Sequence, residues 1–453
     1  MEVLHIMQVH PKMKWTYVGA DSHKSTHTFV FLDCFYTKLG ELVVSSTPSD
    51  FEAFYQDALK LLQPNTEFVF AFEDISNYGR SLVRFLLNKG HIVKHTNASL
   101  VANERKSHSP SLKSDSIDAE CAGRVLINKF DDLPVANLDE RYFIMKVLVA
   151  RRQSLAKGIR RLKSYLHSLL FEQYPSYFQF FANLDAKSSL AFFYRYPSPH
   201  ALLASSIEEL TDLLKKSSQG TLGDERAELI FSLVQSEGVS QCMYQKQRDF
   251  TVKSTVKQLK SNIDEKAKLE IELEKFLQCF DIPLTSMKGI DTITACRLIA
   301  EIGDASRFKN ASALARFAGV APATYSSGST SVQYATNRGN RTLSGIFYDL
   351  AMNLITPKGK NKMSLNPFFY EYYHRKLAEG KTKKQALKVI QRRLINIIYG
   401  MMKYKEDYIN PPIAYINEQT GEIINDEEFD RHSDLNHNQL AHSQKQLATF
   451  KTS

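Results

Sequence analysis

Apolar and β-branched residues fall in short alternating runs over the first hundred positions, each run ending at a polar or glycine-containing break. TYVGADSHKSTHTFVFLDC (16–34) and GELVVSS (40–46) predict three successive strands. FEAFYQDALKLLQ (51–63) predicts an amphipathic helix, with Ser49 or Asp50 as cap and Phe51, Phe54, Leu59 and Leu62 on or near one face. EFVFAFE (67–73) predicts a fourth strand, SLVRFLLNKG a short helix closed by Gly90, and HIVKHT a fifth strand. A lysine-bearing loop then leads into SDSIDAECAGRVLINKF, another helix. Three strands followed by alternating helices and strands imply an α/β domain with a mixed sheet, at 14–132.

The pattern changes at Asp139. RYFIMKVLVARRQSLAKGIRRLKSYLHSLLFEQY (141–174) is helical, and a second helical segment runs from about Lys246 to Phe280, where Val252, Val256, Leu259 and Ile263 keep a coiled-coil spacing; together they predict a helical connector over 139–280. PLTSMKGIDTITACRLIAEIGD opens a third region, 281–408, with a glycine-containing turn at Lys288-Gly289-Ile290 that can present backbone N–H groups to a phosphate or simply join two helices. A short helix, a loop of small hydroxyl residues around TYSSGSTS and another helix follow, then two basic helices, FYEYYHRKLAEG and KTKKQALKVIQRRLINIIYGMMKY. The tail, 409–453, is polar and is expected to be disordered.

A chain of 453 residues allows two or three domains at about 150 residues each. Its 43% apolar content, with 28 Phe and 21 Tyr, excludes a solvating, unfolded chain. No apolar run is long enough for a membrane span and no signal peptide is apparent, so a cytoplasmic protein is expected. The five cysteines are dispersed without a CxxC pair, which argues against a disulfide framework or zinc ribbon. The net charge of +9 points to a polyanionic partner. Arg151, Arg152, Arg160 and Arg161 lie on the first connector helix and fit either a solvated face or one that tracks a phosphate backbone.

Four carboxylates narrow the chemistry. Asp115 and Asp118, taken alone, read as an ordinary helix start, because acidic residues suit the first turn. Asp21 and Glu73, however, end strands one and four, which lie side by side in a sheet of this order. The i, i+3 spacing puts Asp115 and Asp118 on one helix face that can reach the same place. Four converging carboxylates repel unless cations neutralise them, and hard oxygen donors suit Mg2+ or Mn2+. Asp74 is a possible substitute for Glu73, which is preferred because neighbouring strand residues face opposite sides.

YVGADSHK, FAFE, KSDSIDAE, SMKGI and AGVAPATYSSGS followed by NRGNRTL, in this order, resemble the DEDD-type insertion-sequence transposases, the bridge-RNA-guided recombinases. The resemblance runs from about Thr16 to Tyr404 and is most specific at K-x-D-x-x-D-A and G-x-x-P-x-x-Y-x-S-G. It implies an RNase H-like (RuvC-like) domain whose metal-binding set maps onto Asp21, Glu73, Asp115 and Asp118, followed by a helical domain whose nucleophilic serine maps onto Ser327. Three departures are visible: Gly289-Ile290-Asp291 replaces Gly-Ile-Gly, no glycine follows Glu73, and the helical connector is long.

A serine nucleophile would conserve phosphodiester energy in a covalent phosphoserine, which turns a nuclease into a recombinase. The expected activity is therefore DNA transposition through Ser327 and a two-metal carboxylate site, with a structured guide RNA and a homo-oligomeric state, dimer or tetramer, implied by the resemblance. Site-specific inversion uses the same chemistry. A junction-resolving, RNase H-like nuclease needs the carboxylates but no serine, and a non-catalytic binding protein needs only the basic helices.

Overall fold

The computed structural model describes residues 10–73, 78–108, 112–136, 139–239, 243–327, 330–334, 339–357 and 364–408, together with two short strands at 415–416 and 423–424; for 323–327, 330–334 and these last strands it describes the backbone alone. The 409–453 tail otherwise lies outside the described residues, as do Asp74 and Gly328.

Five strands form one mixed sheet in the order β3-β2-β1-β4-β5: β1 (Trp15–Ser22), β2 (Thr26–Leu32), β3 (Lys38–Ser45), β4 (Glu67–Phe72) and β5 (Ile92–His95). β1, β2 and β3 pair antiparallel, whereas β4 joins β1 and β5 joins β4 in parallel. This is the mixed sheet expected at the N-terminus and is consistent with an RNase H-like domain. Side-chain alternation sorts the strand residues into two cores. Val18, Ala20, Phe29, Phe31, Phe68, Phe70 and Phe72 pack on one face with α1 (Phe51–Leu59) and α2 (Arg80–Asn88). Tyr17, Val30, Leu32, Val69 and Ala71 pack on the other, beneath residues 119–127 of a later helix.

The segment expected to be a loop after β5 contains a helix, α3 (Ala98–His108), which lies on the following α4 (Asp115–Lys129). Only Val101 of α3 is buried, so the sequence has no apolar stripe to announce this helix. α4 sits very close to the sheet. A Cβ added to Gly19 in β1 would lie 1.9 Å from the Ala119 carbonyl oxygen and 2.3 Å from the Gly123 nitrogen, so helix backbone rests directly on strand backbone. A Cβ on Gly123 would instead meet first the tip of the Leu32 side chain, at 2.9 Å, rather than backbone. Gly19→Ala is therefore expected to destabilise the full chain by about 1–3 kcal/mol or more, as overpacked cores do, and Gly123→Ala by less. Denaturant unfolding of both variants checks this order.

α5 (Glu140–Gln173) and α11 (Gln245–Leu277) are long helices, about 50 Å at 1.5 Å per residue, and run antiparallel. Arg152 pairs with Glu270, Gly158 approaches Asn262, and Gln173 meets Gln245, so partner numbers fall on one helix as they rise on the other. Five short helices occupy the far end of this pair: α6 (Tyr177–Phe180), α7 (Lys187–Arg195), α8 (Pro199–Leu203), α9 (Ile207–Ser217) and α10 (Asp224–Glu237). Their core unites Tyr174, Phe180, Phe192 and Phe193 with Val252, Val256 and Leu259, the residues of the coiled-coil spacing. At the near end, Met145, Val149 and Leu273 enter the core of the C-terminal helices. Glu140 there also pairs with Arg80 and Arg84 of α2, tying the connector to the sheet domain.

The C-terminal core is built from α12 (Thr292–Ile302), α13 (Ala311–Phe317), α14 (Arg341–Ile355), α15 (Pro367–Ala378) and α16 (Lys383–Tyr404). The hydroxyl-rich loop expected between α13 and α14 is instead a hairpin, β6 (Ala323–Ser327) with β7 (Thr330–Tyr334). Antiparallel backbone pairing satisfies the N–H and C=O groups of a stretch with few apolar side chains. Short strands β8 (Tyr415–Ile416) and β9 (Ile423–Ile424) pair near the C-terminus. Among the described residues no helix is long and apolar enough to cross a membrane.

Candidate metal centre and serine hairpin

The strand pleat decides which face the carboxylates share. Tyr17, Gly19 and Asp21 alternate onto the α4 face of β1, and Val69, Ala71 and, one residue past the strand, Glu73 continue that face of β4. Ala20 pairs in parallel with Phe72, which brings the following residues, Asp21 and Glu73, to neighbouring strand ends. The Gly19 contact seats Ala119 and Gly123 on β1, and the turn of α4 just before them carries Asp115 and Asp118. Ser114, rather than either aspartate, caps the helix: its Oγ accepts from the Ile117 N–H at 3.3 Å. Ser116 also donates to Glu41 of β3 at 2.5 Å, which anchors the same turn from the other side.

His23, on the turn between β1 and β2, joins Asp21 to Asp115. Its Nε2 lies 3.3 Å from Asp21 Oδ2 and 3.1 Å from Asp115 Oδ1. These three side chains offer one nitrogen and two oxygen donors within 4.8 Å of one another, a set that suits a divalent cation. Asp118 is held by Arg105 of α3, and the positive charge of Arg105 is favoured first by Asp118 and further by Glu73. Asp21 and Asp118 are the sheltered members, 18% and 15% exposed, whereas His23 and Asp115 stand open at 50% and 56%. Burial raises the Asp21 pKa; His23 opposes that rise, and Asp115 and Asp118 add to it. Asp21, foremost, and Asp115 hold the His23 pKa above its usual value. The cluster is thus a group of acids that favours positive charge beside it, supplied by Arg105, by a proton on His23 or by a bound cation in place of that proton. Neither partner was expected from the sequence, although the D-x-H spacing of Asp21 and His23 at a strand end is a signal for the first.

Ser327 is the last residue of β6, paired with Thr330, so it stands where the hairpin turns; its side chain lies outside the described residues. Backbone on either side of the hairpin in sequence comes into close contact. Gly339, at φ +112°, lies so close to Gly319 that an added Cβ would come within 2.6 Å of the Gly319 nitrogen, and the Asn340 N–H donates to the Phe317 carbonyl at 2.7 Å. Asn340 also caps α14 through the Leu343 N–H and donates to Glu301 on α12. Gly319 of the AGVAP motif and Gly339-Asn340 of the NRGN motif therefore meet.

The remaining candidates divide. Asp291 caps α12, accepting from the Thr294 N–H at 2.7 Å, so the N–H groups of that helix start already have a carboxylate of the chain. Gly289 has its own structural reason, φ +104° and close packing on Leu354, while Lys288 is exposed. Arg152 forms a fork with Glu270, at 2.9 and 2.6 Å, and braces the helix pair. Arg151, Arg160 and Arg161 are exposed.

Residues 18–175 match a family model described as a transposase, the DEDD type of insertion element IS110, and residues 283–364 match the transposase IS116/IS110/IS902 family. The chain is 29% identical over 303 residues to a 43.6 kDa protein of insertion element IS110 from Streptomyces coelicolor, covering 64% of this chain and 71% of that one. It is 24% identical over 400 residues to a 44.8 kDa protein of insertion element IS116 from Streptomyces clavuligerus, covering 87% and 96%. A pilin gene-inverting protein of Moraxella bovis is 32% identical over 125 residues, 28% of this chain and 37% of that one.

Proposed function

The chain belongs to the DEDD-type insertion-sequence transposases and is a DNA transposase; from that premise we propose that it cuts and rejoins DNA through Ser327, at a divalent-metal site held by Asp21, Glu73, Asp115 and Asp118, under the guidance of a structured RNA. The observation that carries the reading is the meeting of Asp21 and Asp115 around one donor cluster, with Asp118 close enough to raise the Asp21 pKa. A bound Mg2+ or Mn2+ ion supplies Lewis acidity toward phosphodiester oxygens. The chain supplies the nucleophile. Ser327 Oγ bonds to phosphorus as the bond from phosphorus to the leaving deoxyribose oxygen breaks; the serine loses its proton and the leaving oxygen gains one. The hydroxyl of an incoming strand then displaces the serine, restoring it and joining the new strands.

The pilin gene-inverting relatives favour site-specific inversion as a second reading, since inversion joins the same kinds of ends in another arrangement. The guide RNA and a dimeric or tetrameric state are carried by the family resemblance, and the exposed Arg151, Arg160 and Arg161 give the RNA or DNA backbone a surface on α5. Sequencing of nucleic acid that copurifies with the full chain tests the guidance. One discrete structured RNA is expected, and the double variant Arg160→Glu, Arg161→Glu is expected to hold it less tightly with a flatter salt dependence, because each lost phosphate contact lowers the slope by about one. A random mixture of cellular RNA, retained equally by the variant, would contradict it.

A further inference from the structure

We infer that His23 is a metal ligand that biases this site away from Mg2+ and toward first-row transition ions. The inference rests on the divalent-metal reading of the carboxylate cluster and adds to it a nitrogen donor that a set of four carboxylates lacks. His23 Nε2 is 3.3 Å from Asp21 Oδ2 and 3.1 Å from Asp115 Oδ1. Adjacent donors of an octahedral ion with bonds of about 2.1 Å are separated by about 3.0 Å, so both spacings are close to those of neighbouring vertices around one ion.

Backbone hydrogen bonds fix the turn that carries His23. The His23 N–H donates to the Thr26 carbonyl at 2.9 Å, the Ser46 N–H to the Ser25 carbonyl at 2.9 Å, and Ser46 Oγ to the His23 carbonyl at 3.4 Å. The turn is thereby fastened to the end of β3 while the His23 ring remains half exposed over the two carboxylates. Mg2+ takes oxygen donors and gives up water reluctantly, whereas imidazole suits first-row transition ions. Replacing one oxygen position by Nε2 therefore benefits an ion such as Co2+ and leaves Mg2+ with little gain.

Calorimetric titration of the full chain with Mg2+ alone and with Co2+ alone, supported by the visible absorption of bound Co2+, tests this without recourse to DNA cleavage. Wild-type protein is expected to bind both ions and Co2+ more tightly. His23→Ala and His23→Asn, on an exposed turn, are expected to weaken Co2+ by about 10- to 100-fold, at least the loss seen when the support of a ligand is removed, and to shift its absorption bands, while Mg2+ affinity changes little. An unchanged ratio of the two affinities in both variants overturns the assignment of His23 and leaves the carboxylate site standing. Tighter binding of both ions by the variants also overturns it, since His23 would then be a competing cation. If wild-type protein binds neither ion, the metal reading fails and the inference with it.

Discussion

Asp118→Ala is expected to abolish strand cleavage and joining, by at least about a hundredfold, in a protein that still folds. The structure separates the two roles that an acidic helix start can have. Capping of α4 belongs to Ser114, whose Oγ accepts from the Ile117 N–H, so loss of Asp118 removes no cap. What it costs the helix is the interaction of one charge with the first turn, about 0.3–1 kcal/mol, together with the pairing to Arg105. Asp118→Asn keeps the shape and removes the charge, and it is expected to be as inactive as the alanine variant. Ser114→Ala is the opposite control: about 1 kcal/mol less stable, and active. Recombination assays beside thermal unfolding distinguish the patterns. Wild-type rates for Asp118→Ala would return the aspartate pair to a purely structural role.

Ser327→Ala is expected to lose strand joining completely while binding of DNA and RNA survives, and Ser326→Ala to keep joining. The two serines are adjacent in β6, with Ser326 in register with Ser331 and Ser327 with Thr330, so they belong to opposite faces of the hairpin. One face alone can be presented to a given phosphodiester. Ser327 is the residue nearest the turn and precedes Gly328, where a missing side chain lets a nucleic-acid backbone approach. The Gly319–Gly339 contact is made by backbone outside the two strands, so removal of one serine hydroxyl leaves it unchanged. Joining and filter-binding assays on the two alanine variants check both halves of the expectation.

The sheet of the N-terminal domain was legible because its inner strands are short apolar runs buried on both faces and bounded by polar breaks, and because α1 and α2 carry apolar stripes; β1, β4 and β5 fall where the runs of Val, Phe and Ile place them. Asp21, Asp115 and Asp118 could be gathered from strand order and helix spacing, since both follow from backbone periodicity. Other features depend on tertiary placement. Arg105 sits on a polar helix whose single buried residue gives no periodic signal, and it matters only because α3 lies on α4. His23 is one exposed residue of a turn, and its contact with Asp115 joins positions 92 residues apart. Arg152 belongs to a run of similar basic residues, and only the antiparallel register with Glu270 distinguishes it from Arg151. The β6–β7 hairpin was hidden by serines and threonines that also favour loops, although Gly328-Ser329 between two alternating stretches is a hairpin signal. Asp291, which departs from the usual Gly-Ile-Gly, has a local explanation as the cap of α12.

The most direct measurement is to trap the protein on a nicked DNA substrate, digest the covalent adduct, and map the modified residue by mass spectrometry. Phosphate is expected on Ser327, with the adduct present for Ser326→Ala and absent for Ser327→Ala. Phosphate on Ser326 or Tyr325, or strand cleavage with no adduct at all, would contradict the assignment of Ser327 as the nucleophile.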